Sequence, residues 1–353
     1  MGKKYSNLKI VWYPDKLKAL ANGKVTSPIF VRLKPTNRCM HNCFYCAYNT
    51  KYTGMHPTMC RADELSKQKI MEVLSDLKKM GVKSVIYSGG GEPLYHPNIK
   101  EILQKTIDYK LHLAIITNGQ LLEGEVAKIL SNADWVRISL DYHNEKLFKE
   151  IRGVDVSMFH TLKNNIKNFS KIKKPKCNLG VNCVVHEKNK DYIYEIAKFC
   201  KNLGVETIRF SPVWNPDFVN YHKPFKNKVE TQLKKIKKEL CNGDFEMYET
   251  YSSDLSSGAS IKRKLKKCYW MQINPVIAAD SNVYTCHNKA YDKKGFLGSI
   301  KNQSFKKLWF SKELEKKFNN FDPIKNCQHQ CSSESRNMVI EDILNCRETS
   351  NFI

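Results

Sequence analysis

Three cysteines sit close together in the run Cys39-Met40-His41-Asn42-Cys43-Phe44-Tyr45-Cys46. The C-x-x-x-C-x-x-C spacing lets one loop present three thiolates to a single inorganic core. Such a loop can wrap three corners of an iron–sulfide cubane and leave the fourth iron without a protein ligand. An open coordination position is where a small molecule binds and reacts, as at open zinc sites. Tyr45, between the last two cysteines, is placed to cover the core on one side. A zinc knuckle is the plain alternative. It calls for paired C-x-x-C or C/H ligands, whereas here His41 lies inside the loop and no second pair follows nearby.

A second group of thiols lies near the C-terminus. Cys268 and Cys286 flank a β-hairpin pattern, and Cys327 and Cys331 return after one helix. Four thiolates can enclose a cluster completely, which shuts out substrate and suits electron transfer or structural support. A zinc site built from four cysteines uses the same ligands. Cys346 and His329 are alternative donors. Cys60, Cys177, Cys183, Cys200 and Cys241 lack ligand spacing and read as structural thiols, with Cys60 set apart by its place in the long loop after the triplet.

Glycines mark a third feature. Gly89-Gly90-Gly91-Glu92-Pro93 follows an apolar run directly, and glycine permits close backbone approach or positive φ. By itself it is a tight turn.

The elements that must hold these groups alternate. Residues 1–28 read as an N-terminal lead. Strands are expected near Ile29–Leu33, Ser84–Tyr87, Leu113–Ile116, Trp135–Asp141, Leu179–Val185 and Thr207–Phe210. Amphipathic helices fall between them, the first opened by Asp63-Glu64 and stopped by Gly81. Six strand–helix units in succession imply an α/β fold, a partial (βα)6 parallel barrel over residues 29–222. Reactive groups of such barrels gather at the C-terminal ends of the strands. The cysteine loop, the glycine turn, Asn118, Ser139 and Asn182 all fall there. Residues 223–353 read as a smaller β-hairpin and helix domain carrying the second thiol group.

The chain has 353 residues, 41% of them hydrophobic, enough for a large core and a smaller one. It has no run of 18 apolar residues and no apolar leader, so neither a membrane span nor export is expected. Met1-Gly2-Lys3-Lys4-Tyr5-Ser6 fits the loose myristoylation pattern with nothing else to support it. Thirteen cysteines without an export signal favour metal ligation and reduced thiols in a reducing cytoplasm. The net charge of +24 suits an anionic partner. Yet lysine is spread along helix faces such as Lys234–Lys238 and Lys262–Lys267, without interleaved aromatics, so a nucleic-acid partner is not the reading taken.

Cys39, Cys43, Cys46 and Tyr45, with Gly89, Gly90, Gly91 and Glu92 after the next strand, resemble the signature of the radical S-adenosylmethionine (radical SAM) superfamily. The resemblance implies a [4Fe–4S] cluster whose open iron is chelated by SAM. Its cleavage yields a 5′-deoxyadenosyl radical that abstracts hydrogen from a substrate. It implies a SAM pocket at the glycine turn, at Asn118 and Asn182, and at Ser139 and Arg152, the last pairing with the SAM carboxylate. Val184 and Phe210 are candidates to pack on adenine, with packing in the core as the equal alternative. The hairpin with Cys268, Cys286, Cys327 and Cys331 resembles SPASM and Twitch auxiliary-cluster domains. The C-x-x-C-x5-C run of a full SPASM domain is missing, and Ser281 stands where many members have glycine. One auxiliary [4Fe–4S] cluster is therefore expected, together with a reducing partner such as flavodoxin or ferredoxin. The implied activity is of oxidoreductase type, a two-electron oxidation of a small polar, sugar-like substrate. The alternatives are a peptide-, protein- or RNA-modifying enzyme, or a non-catalytic metal-binding scaffold. Tyr48, His56, Tyr95, His96, Tyr142, His143, Trp214 and Asn215 are the substrate-facing candidates.

Overall fold

The computed structural model describes residues 6–48, 55–256, 265–327 and 331–346. Its centre is a run of seven parallel strands: β1 (Phe30–Leu33), β2 (Ser84–Tyr87), β3 (His112–Thr117), β4 (Trp135–Ser139), β5 (Asn178–Val185), β6 (Thr207–Pro212) and β7 (Glu246–Glu249). Three short strands extend it beyond β1. They are β8 (Val276–Ile277), β9 (Asn282–Tyr284) and β10 (Phe296–Ser299), in the order β10-β9-β8-β1-β2-β3-β4-β5-β6-β7. The order has two ends, so the barrel is partial and open.

The two faces of the parallel sheet differ. Val31, Leu33, Val85, Val136, Ile138 and Phe210 lie on the face packed by helices and are fully buried. Each such side chain contributes about 1.5–3 kcal/mol by leaving water. The other face carries Arg32, Arg137, Ser139, Asn182 and Arg209, all half-buried. Alternation along each strand produces this split, because successive side chains point to opposite faces.

Several elements differ from expectation. β7 is a seventh parallel strand, and β10 adds a strand to the C-terminal hairpin. The segment Trp270–Ile273 is a short helix, ended by Asn274 ahead of Pro275, rather than hairpin strand. Asp63 and Glu64 do not open the first barrel helix. Glu64 bridges to Thr36, and Ser66 caps the helix Lys67–Lys79 by accepting from the Lys69 N–H.

The N-terminal lead folds onto the C-terminal region. Ile10, Leu20 and Ile29 share a small core with Ile273 and with Ile340 of the helix Glu334–Asn345. The fully buried Trp309 donates from its indole N–H to the Thr26 carbonyl at 2.8 Å. Among the described residues no helix is long and apolar enough to cross a membrane.

Candidate active site

The cysteine triplet lies at the C-terminal end of β1, on a loop held from two sides. On one side, the N–H groups of Asn42 and Phe44 donate to the carbonyls of Arg152 and Ile151, at 2.9 and 3.3 Å. These carbonyls end the helix Glu145–Arg152 and have no partner within it. Gly153, in the left-handed region at φ 62°, terminates that helix against Asn42. On the other side, the N–H groups of Gly91 and Glu92 donate to the carbonyls of Thr36 and Arg38.

The glycine turn is explained by that second clamp. A Cβ on Gly91 would lie 2.0 Å from the Arg38 carbonyl oxygen, and one on Gly90 would lie 1.9 Å from the Asn37 side-chain oxygen. None of the three glycines has a positive φ, so close approach is what demands them. Glu92 is buried and faces the protein. Its carboxylate accepts from the Leu94 N–H at 3.0 Å, the Thr117 hydroxyl at 2.6 Å and the Asn118 N–H at 2.6 Å. Burial raises its pKa to about 7 against the pull of those donors. Asn118, fixed in this way, points its amide N–H at the Met40 sulfur, at 3.0 Å.

Arg152 is 3% exposed, and both of its terminal nitrogens are engaged, while its Nε–H has no hydrogen-bond partner among the described residues. It donates to Cys43 Sγ at 3.0 Å, Tyr45 Oη at 3.2 Å, the Ser139 carbonyl at 2.8 Å and Asp141 Oδ1 at 2.8 Å. The Tyr45 hydroxyl donates to the same carboxylate, and the His186 ring lies beside it. Burial pushes the Asp141 carboxyl up, but Arg152 and these hydrogen bonds outweigh it and hold its pKa below the usual range. The pairing that the resemblance gives Arg152, with a SAM carboxylate, thus meets an internal carboxylate already in place. Asp141 and His186 both belong to this network. The sequence marks Asp141, with Ser139, as an acidic group at the end of the fourth strand, but carries no signal for His186.

Ser139 and Asn182 are register partners on the half-buried concave face, and Val184 faces the same way. Phe210 does not. It sits on the helix-packed face, fully buried, and belongs to the core. This overturns its place beside an adenine.

The second thiol group also converges. Burial pushes the Cys268 thiol up, and the charges of Cys286, Cys331 and Cys327 push it further, so all three lie within electrostatic reach of Cys268. Asn337, buried on the helix Glu334–Asn345, aims its amide at Cys268 Sγ from 3.7 Å and accepts from the Trp270 N–H. Cys346 is exposed at the end of that helix, and His329 lies outside the described residues. Cys177, Cys183 and Cys200 are buried in the core as expected, whereas Cys241 is half-buried and Cys60 is exposed. Ser281 has φ 63°, the conformation glycine adopts freely, so the departure noted in the sequence falls on a backbone position that favours glycine.

Among the described residues no three Cys, His, Asp or Glu side chains close tightly enough to hold one metal ion. The donor set suits an iron–sulfur core: thiols grouped in a three and a four, with N–H donors from His41, Arg152 and Asn337 aimed at sulfur. Hydrogen bonds to cluster sulfurs of this kind set reduction potential.

Of the substrate-facing candidates, Tyr48 and His56 come together. Their rings stack with centroids 4.5 Å apart beside His287, and Lys34 donates to the Tyr48 hydroxyl at 2.6 Å. His96 is structural, bound to the Leu65 carbonyl, and Tyr142 is fully buried under the Arg152 guanidinium. Asn215 caps the Asp217 N–H. His143 packs against Tyr192, Trp214 is half-buried and Tyr95 is exposed on the surface.

Residues 33–200 match the model of the radical SAM superfamily, and residues 268–332 match that of an iron–sulfur cluster-binding domain, SPASM. The chain is a radical SAM enzyme with a SPASM-type C-terminal domain. Its cofactors are therefore SAM and a [4Fe–4S] cluster, with auxiliary iron–sulfur ligation in the second domain. Among curated relatives of this radical SAM chain, a probable GTP 3′,8-cyclase of Methanococcus aeolicus is 28% identical over 62% of this chain and 70% of its own length. A GTP 3′,8-cyclase of Aliarcobacter butzleri is 30% identical over 51% of this chain and 54% of its own length. The chain thus spans about half the length of the second. Among solved structures, Streptococcus suis SuiB bound to the precursor peptide SuiA has a TM-score of 0.64 at 18% identity, covering 87% of this chain and 70% of SuiB. The structure of anSMEcpe with bound AdoMet has a TM-score of 0.61 at 19% identity, covering 83% of each chain. At such identities these structures establish the shared fold.

Proposed function

We propose that this radical SAM enzyme takes a hydrogen atom from a small polar substrate held against the concave face, in a two-electron oxidation or related rearrangement. Bound at the triplet, the cluster and SAM supply a carbon radical able to attack an unreactive C–H bond. The residues proposed to hold them are Cys39, Cys43 and Cys46 for the cluster. The turn Gly89–Glu92, Asn118, Ser139, Asn182 and Val184 are proposed for SAM, with Tyr45 and Arg152 bracing the loop. Cys268, Cys286, Cys327 and Cys331 are proposed as one auxiliary ligand set, taking the electron that substrate oxidation releases.

One observation carries the substrate class. The sheet's concave face bears arginine, serine and asparagine where its helix-packed face is mostly apolar. The curated relatives are named for GTP, itself small and polar. A second reading, a peptide substrate, is favoured by the likeness to SuiB with its bound precursor peptide. Anaerobic reconstitution with iron and sulfide, followed by SAM and dithionite, tests the activity. About eight irons per chain and 5′-deoxyadenosine are expected for two cubanes. Zinc in place of iron and no SAM cleavage would leave only a metal-binding scaffold.

A further inference from the structure

We infer that Arg32 and Arg137 form an oxyanion site on the concave face, which holds a phosphate or carboxylate group of the substrate. The inference rests on the substrate being bound at that face, as proposed above, and names its charge.

Sheet register puts the two arginines on the same face, on β1 and β4 with β2 and β3 between them. Arg32 pairs in register with Ile86, Ile86 with Ala114, and Ala114 with Trp135. Arg32 and Trp135 therefore occupy one row of the same face. Arg137 stands one row further along β4, and its guanidinium folds back over the Trp135 ring, 4.7 Å from the centroid. That returns its charge toward the row of Arg32. Gly180, the register partner of Arg137, contributes no side chain there.

Three cations lie within electrostatic reach of Arg32: Arg137, Arg336 and Lys34. Burial lowers its pKa to about 10; the Tyr48 and Cys286 side chains oppose that shift, while Arg137 and Arg336 add to it. Lys34, two residues on, is fully buried and lies close enough to feel Arg32. Among the described residues neither Arg32 nor Lys34 forms an ion pair. Lys34 donates to the Tyr48 hydroxyl and lies over the Tyr48 and Tyr291 rings. Asp280, the carboxylate nearest Lys34 in its electrostatics, already accepts from Asn282 and the Tyr284 hydroxyl. The Arg32 Nε–H is buried with no hydrogen-bond partner among the described residues. A half-buried guanidinium with an unsatisfied N–H, on the same face as a second guanidinium within electrostatic reach, matches the fork that binds carboxylate or phosphate through paired hydrogen bonds. An oxyanion placed there satisfies the orphan donor and relieves the repulsion together.

Calorimetric titration of the anaerobically reconstituted enzyme with inorganic pyrophosphate, and separately with malonate, tests this without turnover. Binding of at least one probe is expected, weakened tenfold or more in Arg32→Gln and in Arg137→Gln. Tighter pyrophosphate binding assigns a phosphorylated substrate, and tighter malonate binding a carboxylate. Arg137→Lys keeps the charge and is expected to retain part of the affinity, which covers a glutamine variant that fails to fold. Wild-type protein that binds neither probe overturns the inference. So do glutamine variants that bind as wild type, or that only shift the auxiliary cluster's midpoint potential. Formation of 5′-deoxyadenosine in the same preparations separates these failures from failure of the radical SAM reading.

Discussion

Arg152 and Asp141 form a buried ion pair at 2.8 Å, and the same guanidinium reaches Cys43 Sγ at 3.0 Å. One cation therefore joins the end of β4, the end of a helix and the cluster loop. Tyr45, set between Cys43 and Cys46, closes the network on the same carboxylate.

Removing either member of this pair leaves the other charge buried. Arg152→Met is expected to lower unfolding free energy by about 3–5 kcal/mol. Anaerobic denaturant titration of the reconstituted protein reads this. The Cys43 sulfur also loses a donor, so the midpoint potential of the first cluster should fall in a milder Arg152→Lys variant.

Glu92 makes stability depend on pH. With its folded pKa raised to about 7, the native state keeps a proton that the unfolded chain has lost. That contribution is full below the ordinary glutamate pKa and disappears as pH rises through about 7. The loss is roughly 3 kcal/mol. Unfolding measured from pH 5 to pH 8 should show this decline, and Glu92→Gln should flatten it. An equal slope in the variant would place its origin in another group.

The glycine turn should tolerate no side chain against Arg38. Gly91→Ala forces the backbone before Cys39 outward, at an expected cost of about 1–3 kcal/mol. Iron bound after reconstitution should drop with it. Gly243→Ala is the control, because a Cβ there meets nothing within 4 Å.

The two thiol groups should load independently. Replacing Cys268, Cys286, Cys327 and Cys331 together by alanine should remove about four irons per chain. The response of the remaining cluster's paramagnetic resonance to added SAM should persist. Replacing Cys39, Cys43 and Cys46 should abolish that response and leave the other irons bound.

Ser281→Gly should not destabilise the protein. A left-handed backbone costs an L-residue about 1–2 kcal/mol, and the greater freedom of unfolded glycine offsets about 0.5–1 kcal/mol of the gain. Thermal unfolding should show a small rise, and a fall would mean that the serine side chain has a role of its own.

The cysteine spacing, the glycine turn and the six strand–helix units were legible in the chain because each is local. Thiol spacing along one loop, steric freedom at glycine, and alternation along a strand need no knowledge of distant residues. What lay beyond reach depended on partners far apart in sequence. Phe210 and Val184 both end apolar strands, and only the curl of the sheet decides which of them faces inward. β7 lacks an apolar pattern of its own and pairs because β6 offers it an edge. Trp270–Ile273 reads as strand by composition but is drawn into a helical turn between the N-terminal lead and the helix Glu334–Asn345.

The sequence by itself determined the metal chemistry and the fold class, since ligand types and strand periodicity reside in neighbouring residues. Tertiary structure alone decided that Arg152 serves an internal carboxylate and that Glu92 holds Asn118. It also decided that Arg32 and Arg137 share one face. Those are long-range electrostatic and hydrogen-bonding choices, and they exist only once β1, β4 and the cluster loop have been brought side by side.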